Sequence, residues 1–217
     1  MLCKAILFDL DGTLLNTLED LGNCVNRMLA SRGFPTHDLD AYRYFVGDGA
    51  AMLVIRALPA DKRDDHTVRT CLQAFREDYA RNWNVKTRPY DGVTEMLDAL
   101  KAREVKMAIL SNKPHHFTKL CVSELLRNWN FDVVLGLRDG VPPKPDPTGA
   151  LEIGETLNIE PADFLYLGDT NVDMKTATTA GMFPVGALWG FRTAQELEES
   201  GAKALIEKPL EILNFVG

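Results

Sequence analysis

Apolar residues follow two rhythms along this chain, and the change from one to the other outlines a fold. Six short stretches, Ala5–Leu10, Lys106–Ser111, Phe131–Leu135, Phe164–Gly168, Phe183–Leu188 and Ala204–Ile206, carry apolar residues at consecutive positions. Runs of that kind predict strands covered on both faces, as in a parallel sheet. Between them the apolar positions shift to helical spacing. Val93, Met96, Leu97 and Leu100 share one face, and Thr148–Leu157 and Asn171–Ala180 read as further helices. Strand and helix in alternation imply right-handed βαβ units.

One region breaks this alternation. Leu18, Leu21, Val25, Met28 and Leu29 fall at helical spacing, and Ala50–Leu58 and Val68–Tyr79 read as amphipathic helices, with Val46-Gly47-Asp48-Gly49 interrupting them. No strand-like run occurs before about Val85. The expected organisation is an α/β protein: a parallel sheet core made of residues 1–15 and 86–217, with an inserted helical unit, residues 16–85.

Composition narrows the functional classes. Of 217 residues, 46% are hydrophobic and 25% charged, the balance of an ordinary folded protein. The formal net charge of -7 argues against nucleic acid as a partner, because phosphate-backbone binding needs a field of Lys and Arg. No stretch reaches the roughly 18 apolar residues of a membrane span, and Asp9 and Asp11 interrupt the N-terminus before a signal-peptide core forms. The scattered Cys3, Cys24, Cys71 and Cys121 suggest neither a zinc site nor a disulfide framework. A cytoplasmic location without membrane association is expected, and oligomeric state is left open. The acidic balance also means that a phosphate pocket would need local positive charge from a metal ion and a lysine.

In a parallel sheet ligands bind beyond the carboxyl ends of the strands, and four such places carry chemistry. They supply Asp9, Asp11 and Thr13; Ser111 and Asn112; Lys144; and Asp169, Thr170 and Asp173. Singly, each has an ordinary reading. Asp11-Gly12 is a turn dipeptide, Ser111-Asn112 a helix cap, Lys144 a solvated loop charge, and Asp169-Thr170 a strand-to-helix turn. Together they fit phosphoryl transfer. Asp9, Asp11 and Asp169 form an oxygen-rich set suited to Mg2+, and adjacent carboxylates repel unless a cation or a proton intervenes. Asp9 is the candidate nucleophile, and Asp11 the acid that protonates the leaving oxygen and the base that then activates water. Ser111 and Lys144 would stabilise the transferring group, with Thr13 and Asn112 beside it. Pro145 and Pro147 limit the freedom of the Lys144 loop, and Asp146 is placed to cap the next helix.

Asp9-Leu10-Asp11-Gly12-Thr13, Ser111-Asn112, Lys144-Pro145 and Gly168-Asp169-Thr170 with Asp173 resemble, in order and spacing, the four motifs of the haloacid dehalogenase superfamily. Val46-Gly47-Asp48-Gly49-Ala50, Ser111-Asn112-Lys113-Pro114 and Asp173–Met182 are most similar to phosphoglycolate phosphatases, and the likeness runs over essentially the whole chain. The resemblance implies a Rossmann-like parallel sheet core with an inserted α-helical cap domain after the first motif, matching the strand-poor residues 16–85, and Asp9, Asp11 and Asp169 at the metal. It further implies Lys144 on phosphate and Asp9, and Asp173 steadying Lys144. The expected substrate is a small phosphorylated metabolite, 2-phosphoglycolate foremost, with pyrophosphate and nucleotides as other candidates. From the cap, Gly47, Asp48, Gly49 and Arg56 are candidate substrate contacts, although Asp48 stands where asparagine is expected more often and would need a partner such as Arg56. The alternative enzyme is a phosphosugar mutase of the same superfamily; a non-enzymatic phosphoacceptor is disfavoured by chain length. His37, His66, His115 and His116 form no ligand pattern.

Overall fold

The computed structural model describes residues 3–216. The chain runs through β1 (Ala5–Phe8), β2 (Leu15–Asn16), α1 (Leu18–Ala30), α2 (Leu39–Phe45), α3 (Ala50–Ala57), α4 (Asp65–Asn82) and β3 (Arg88–Pro89). Then follow α5 (Val93–Ala102), β4 (Lys106–Pro114), α6 (His115–Leu125), β5 (Val133–Leu137), α7 (Thr148–Leu157) and β6 (Phe164–Gly168). The last elements are α8 (Asn171–Ala180), β7 (Phe183–Ala187), α9 (Ala194–Glu199), β8 (Ala204–Ile206) and a 3-10 segment, Pro209–Phe215. Two compact units result: the residues up to Leu15 with those from Pro89 onward, and Asn16–Arg88.

In the first unit six strands line up in the order β5-β4-β1-β6-β7-β8, every neighbouring pair parallel. β1 is central, and Ala5, Ile6, Leu7 and Phe8 are fully buried, as expected of a strand covered on both faces. Successive side chains on a strand point to opposite faces. Ala5 and Leu7 therefore join Ala108, Leu110, Phe164 and Tyr166 in one layer, under Ala150 and Ile153 of α7 and Ala177 and Ala180 of α8. Burying each such Leu, Ile or Phe contributes about 1.5–3 kcal/mol, which outweighs the modest propensity of any single strand. Register carries this order to the site: Phe8 lies level with Ile109 on β4 and with Leu167 on β6. The ends of β1 and β6 and the far part of β4 thus emerge at one edge of the sheet.

Several elements depart from the expected bounds for local reasons. β5 begins at Val133 rather than Phe131, because Asp132 holds the start of β4 instead of simply joining the run. Its carboxylate accepts from Lys106 Nζ at 2.8 Å and Met107 N at 3.1 Å, while Phe131 packs edge-on to Phe8. β4 continues past Ser111 to Pro114, with a register shift between Leu110 and Pro114. Ser111 and Asn112 consequently lie within an irregular strand and do not cap α6. α2 and α9 were not expected from periodicity, being 7 and 6 residues long.

The second unit is helical. Cys24, Val25, Met28 and Leu29 of α1 and Cys71, Phe75 and Tyr79 of α4 are buried, at the i, i+3 and i, i+4 spacings of an apolar stripe. Its final residues extend beyond the expected Val85. Asp20 on α1 accepts from Lys86 N at 2.9 Å and from Thr87 N and Oγ1 at 2.8 Å each, which ties residues 86 and 87 to this unit.

Candidate active site

The two carboxylates nearest the sheet edge owe their positions to β1 and β6. Asp9 directly follows β1, its amide donating to Leu167 O at 2.9 Å, and Asp169 directly follows β6. Both are buried, as are Asp173, Lys144, Ser111, Asn112, Thr13 and Thr170. Asp9, Asp169 and Asp173 each offer a carboxylate oxygen, and these oxygens lie within 4.8 Å of one another. Lys144 Nζ faces them, donating to Asp9 Oδ1 at 2.8 Å, Asp173 Oδ1 at 2.7 Å and Leu110 O at 3.1 Å. An ammonium has three donors, so this lysine is fully satisfied despite its burial.

Each member is held by neighbours. Asn112 Oδ1 accepts from Lys144 N at 2.8 Å and Asn112 Nδ2 donates to Lys144 O at 3.0 Å, which clamps the lysine's main chain. After that loop, Asp146 Oδ1 accepts from Thr148 N at 2.9 Å at the start of α7. Asp173 Oδ2 accepts from Thr170 N at 3.0 Å and Thr170 Oγ1 at 2.6 Å, and Thr170 Oγ1 accepts from Asp173 N in a capping box that opens α8. Asp173 Oδ1 also accepts from Tyr166 Oη at 3.3 Å. Asp169 accepts from Thr13 Oγ1 at 2.7 Å and from Phe191 N at 2.8 Å. Gly12 has φ of 94°, and a Cβ there would collide with the Asp169 carboxylate, so conformation and space both require glycine.

Charge is the dominant feature of this pocket. Burial, then the charge of Asp173, pushes Asp9 up to about 7 against the opposing pull of Lys144. Burial, then the charges of Asp9 and Asp173, raises Asp169 well above the usual carboxylate range, against the bonds from Thr13 and Phe191. For Lys144 burial acts downward, but Asp173 and Asp9 outweigh it and raise its pKa. Three buried carboxylates thus face one ammonium, which bonds two of them, an acidic excess with oxygen donors only. Such a set fits a hard divalent cation.

The Asp11 carboxylate is held by Lys113: Lys113 Nζ donates to its oxygens at 3.0 and 3.2 Å, and the lysine is itself buried. Asp173, expected to steady Lys144, accepts from its ammonium and is also the third carboxylate of the group. Ser111 Oγ accepts from Lys113 N at 3.2 Å. Within the helical unit, Arg56 donates to Asp48 Oδ2 at 2.5 Å and to Phe45 O at 3.1 Å, stitching the turn in which Gly47 and Gly49 have φ of 128° and 86°. Asp48 thereby has its partner, and Arg56 is occupied in that turn. Tyr166, Lys113 and Phe191 were not expected as site neighbours. Tyr166, in the middle of β6, and Phe191, in the connection after β7, look like core aromatics in sequence, and no spacing flags them.

A sequence model of the haloacid dehalogenase-like hydrolases matches residues 6–187. The curated protein named phosphoglycolate phosphatase 1 of Pseudomonas aeruginosa is 33% identical over 215 residues, covering 97% of this chain and 78% of its own. The phosphoglycolate phosphatase of Nitrosospira multiformis is 33% identical over 219 residues, with 98% and 95% covered. Among solved structures, a protein from Lactobacillus delbrueckii subsp. bulgaricus matches with a TM-score of 0.93 at 27% identity, covering 100% of both chains. Another, from Haemophilus somnus 129PT, matches with a TM-score of 0.90 at 28% identity, covering 98% and 97%.

Proposed function

This chain belongs to the haloacid dehalogenase-like hydrolase family, and on that premise we propose that it is a Mg2+-dependent phosphatase of small phosphomonoesters, acting through a phosphoaspartate on Asp9. The observation that carries the reading is the placement of Asp9. It is a buried carboxylate at a strand end, with Oδ1 taken by Lys144 at 2.8 Å and a second carboxylate, Asp169, close enough to share an ion.

Asp9 Oδ2, the oxygen not engaged by Lys144, attacks phosphorus, and the bond from phosphorus to the leaving oxygen breaks. Asp11 donates its proton to that oxygen, and the alcohol departs. Asp11, now a carboxylate, takes a proton from water; the water oxygen bonds to phosphorus and the bond to Asp9 breaks, releasing phosphate. Lys144 and the Ser111 hydroxyl are proposed to donate to the equatorial oxygens as these gather charge. Lys113 fixes where the Asp11 carboxylate sits. Asp9 and Asp169, with Asp11 beside them, would hold Mg2+, which when bound offsets phosphate charge and carboxylate repulsion.

The substrate proposed is 2-phosphoglycolate, on the strength of relatives that carry that name over most of the chain. Thr13 and Asn112 are proposed beside the phosphate, and the Gly47-Asp48-Gly49 turn with Arg56 as the cap's contribution to selectivity. Thr170 and Asp173 are proposed as supports of Lys144. The four free cysteines suit a reducing cytoplasm, and among the described residues no helix is long and apolar enough to cross a membrane.

A phosphate-release panel with MgCl2 tests the reading, comparing 2-phosphoglycolate, pyrophosphate, sugar phosphates and nucleotides by kcat/KM. The expected result is Mg2+-dependent release with 2-phosphoglycolate the best substrate. A flat profile removes the substrate assignment, and no release from any of them removes the chemistry.

A further inference from the structure

The connection from β7 to α9 reaches Asp169 from a direction that the four motif stretches do not supply. Phe191 N donates to Asp169 Oδ2 at 2.8 Å, and Thr13 Oγ1 donates to Oδ1 at 2.7 Å. Trp189 Nε1 donates in turn to Thr13 O at 2.9 Å. One short segment thus holds the carboxylate directly at one oxygen and, by way of Thr13, at the other. Gly190 lies between the two contacts. Its φ is outside the left-handed region, so backbone conformation does not call for glycine there; proximity does, since a Cβ would collide with the Asp169 side chain. The segment is also fixed at both ends. Leu188 N donates to Ile206 O at 2.9 Å, and Thr193 and Glu196 form the capping box of α9.

We propose that Trp189-Gly190-Phe191 is a positioning segment that sets the orientation of the Asp169 carboxylate for the metal ion. The inference rests on the Mg2+ reading given above. An ionised carboxylate accepts hydrogen bonds in about four lone-pair directions, and here Phe191 and Thr13 take one on each oxygen. These two bonds restrain the side chain, and by themselves they leave lone-pair directions for a cation shared with Asp9. Rotamer freedom that a loose aspartate would lose on binding the ion is already lost on folding. Removing partners of this kind commonly weakens metal affinity by about 10- to 100-fold.

Two substitutions separate positioning from packing. Trp189→Phe keeps the aromatic bulk and removes the N–H, whereas Gly190→Ala drives a methyl group against Asp169. The readouts are the MgCl2 concentration that half-saturates the rise in melting temperature without substrate, and kcat and KM for phosphate release at saturating MgCl2. Mg2+ binding is expected to weaken about 10-fold or more in Gly190→Ala, and by a smaller factor in Trp189→Phe. Trp189→Phe should keep the wild-type melting temperature without metal and the wild-type KM at saturating MgCl2. If Gly190→Ala does not fold, Trp189→Phe decides. A Trp189→Phe protein that melts lower without metal yet binds Mg2+ like wild type overturns the inference and leaves the segment a packing role. If wild type itself gains no stability from MgCl2, the reading of the site fails and this inference with it.

Discussion

Lys144 decides the electrostatics of the site at the scale of single residues. Its ammonium is shared by Asp9, Asp173 and a carbonyl, all buried. Lys144→Met leaves the carboxylates uncompensated and should destabilise the metal-free protein by about 3–5 kcal/mol, read from urea unfolding. Asp9→Asn should behave in the opposite way. Burial and the charge of Asp173 disfavour ionised Asp9, so removing that charge should leave the metal-free fold at least as stable above pH 7 while abolishing phosphate release. A stability loss in Asp9→Asn comparable with that in Lys144→Met would contradict this assignment of strain. The acidic residues were legible in sequence because a carboxylate next to a buried strand needs a reason. Lys113 was not, since a lysine in a polar stretch looks solvated until Asp11 is seen against it.

At the scale of elements, the tight turn after β1 and the entry to the helical unit are the sensitive joints. Gly12→Ala would place a methyl group on the Asp169 carboxylate at φ of 94°, so the variant should lose its Mg2+-dependent rise in melting temperature even if it folds. Asp20→Ala removes the acceptor of three donors on residues 86 and 87, two of them buried on Thr87, and should cost about 3 kcal/mol or more in urea unfolding. α7, β6, α8 and β8 fall at the bounds expected from apolar periodicity, because their packing faces coincide with the sequence pattern. β4 does not, since its continuation through Ser111, Asn112 and Lys113 is fixed by bonds from Asn112 to Lys144 and from Lys113 to Asp11 rather than by apolar spacing. α9 has only one buried residue, Leu197, too little for a pattern.

For the molecule as a whole, the acidic excess links stability to pH and to metal. Asp9, raised to about 7, and Asp169, also raised, bind protons more tightly in the folded than in the unfolded chain. Stability from these protons is complete below the unfolded carboxylate range and is lost as pH rises through the folded values. The metal-free protein should therefore melt at falling temperature from about pH 4 to 7 as far as these groups dictate, and MgCl2 should stabilise it more at pH 7.5 than at pH 5. A Mg2+ effect independent of pH would contradict the coupling. The helical unit is visible in sequence as residues 16–85 without strand-like runs, whereas the attachment of residues 86 and 87 to it through Asp20 is something no periodicity reveals. The central claim is the covalent role of Asp9, and the most direct test is to mix Asp11→Asn with 2-phosphoglycolate and MgCl2, quench in acid and map the peptides by mass spectrometry. One phosphoryl group on Asp9, absent from an Asp9→Asn control, is the predicted result. A phosphoryl group on another residue, or none at any time while wild type releases phosphate, would contradict it.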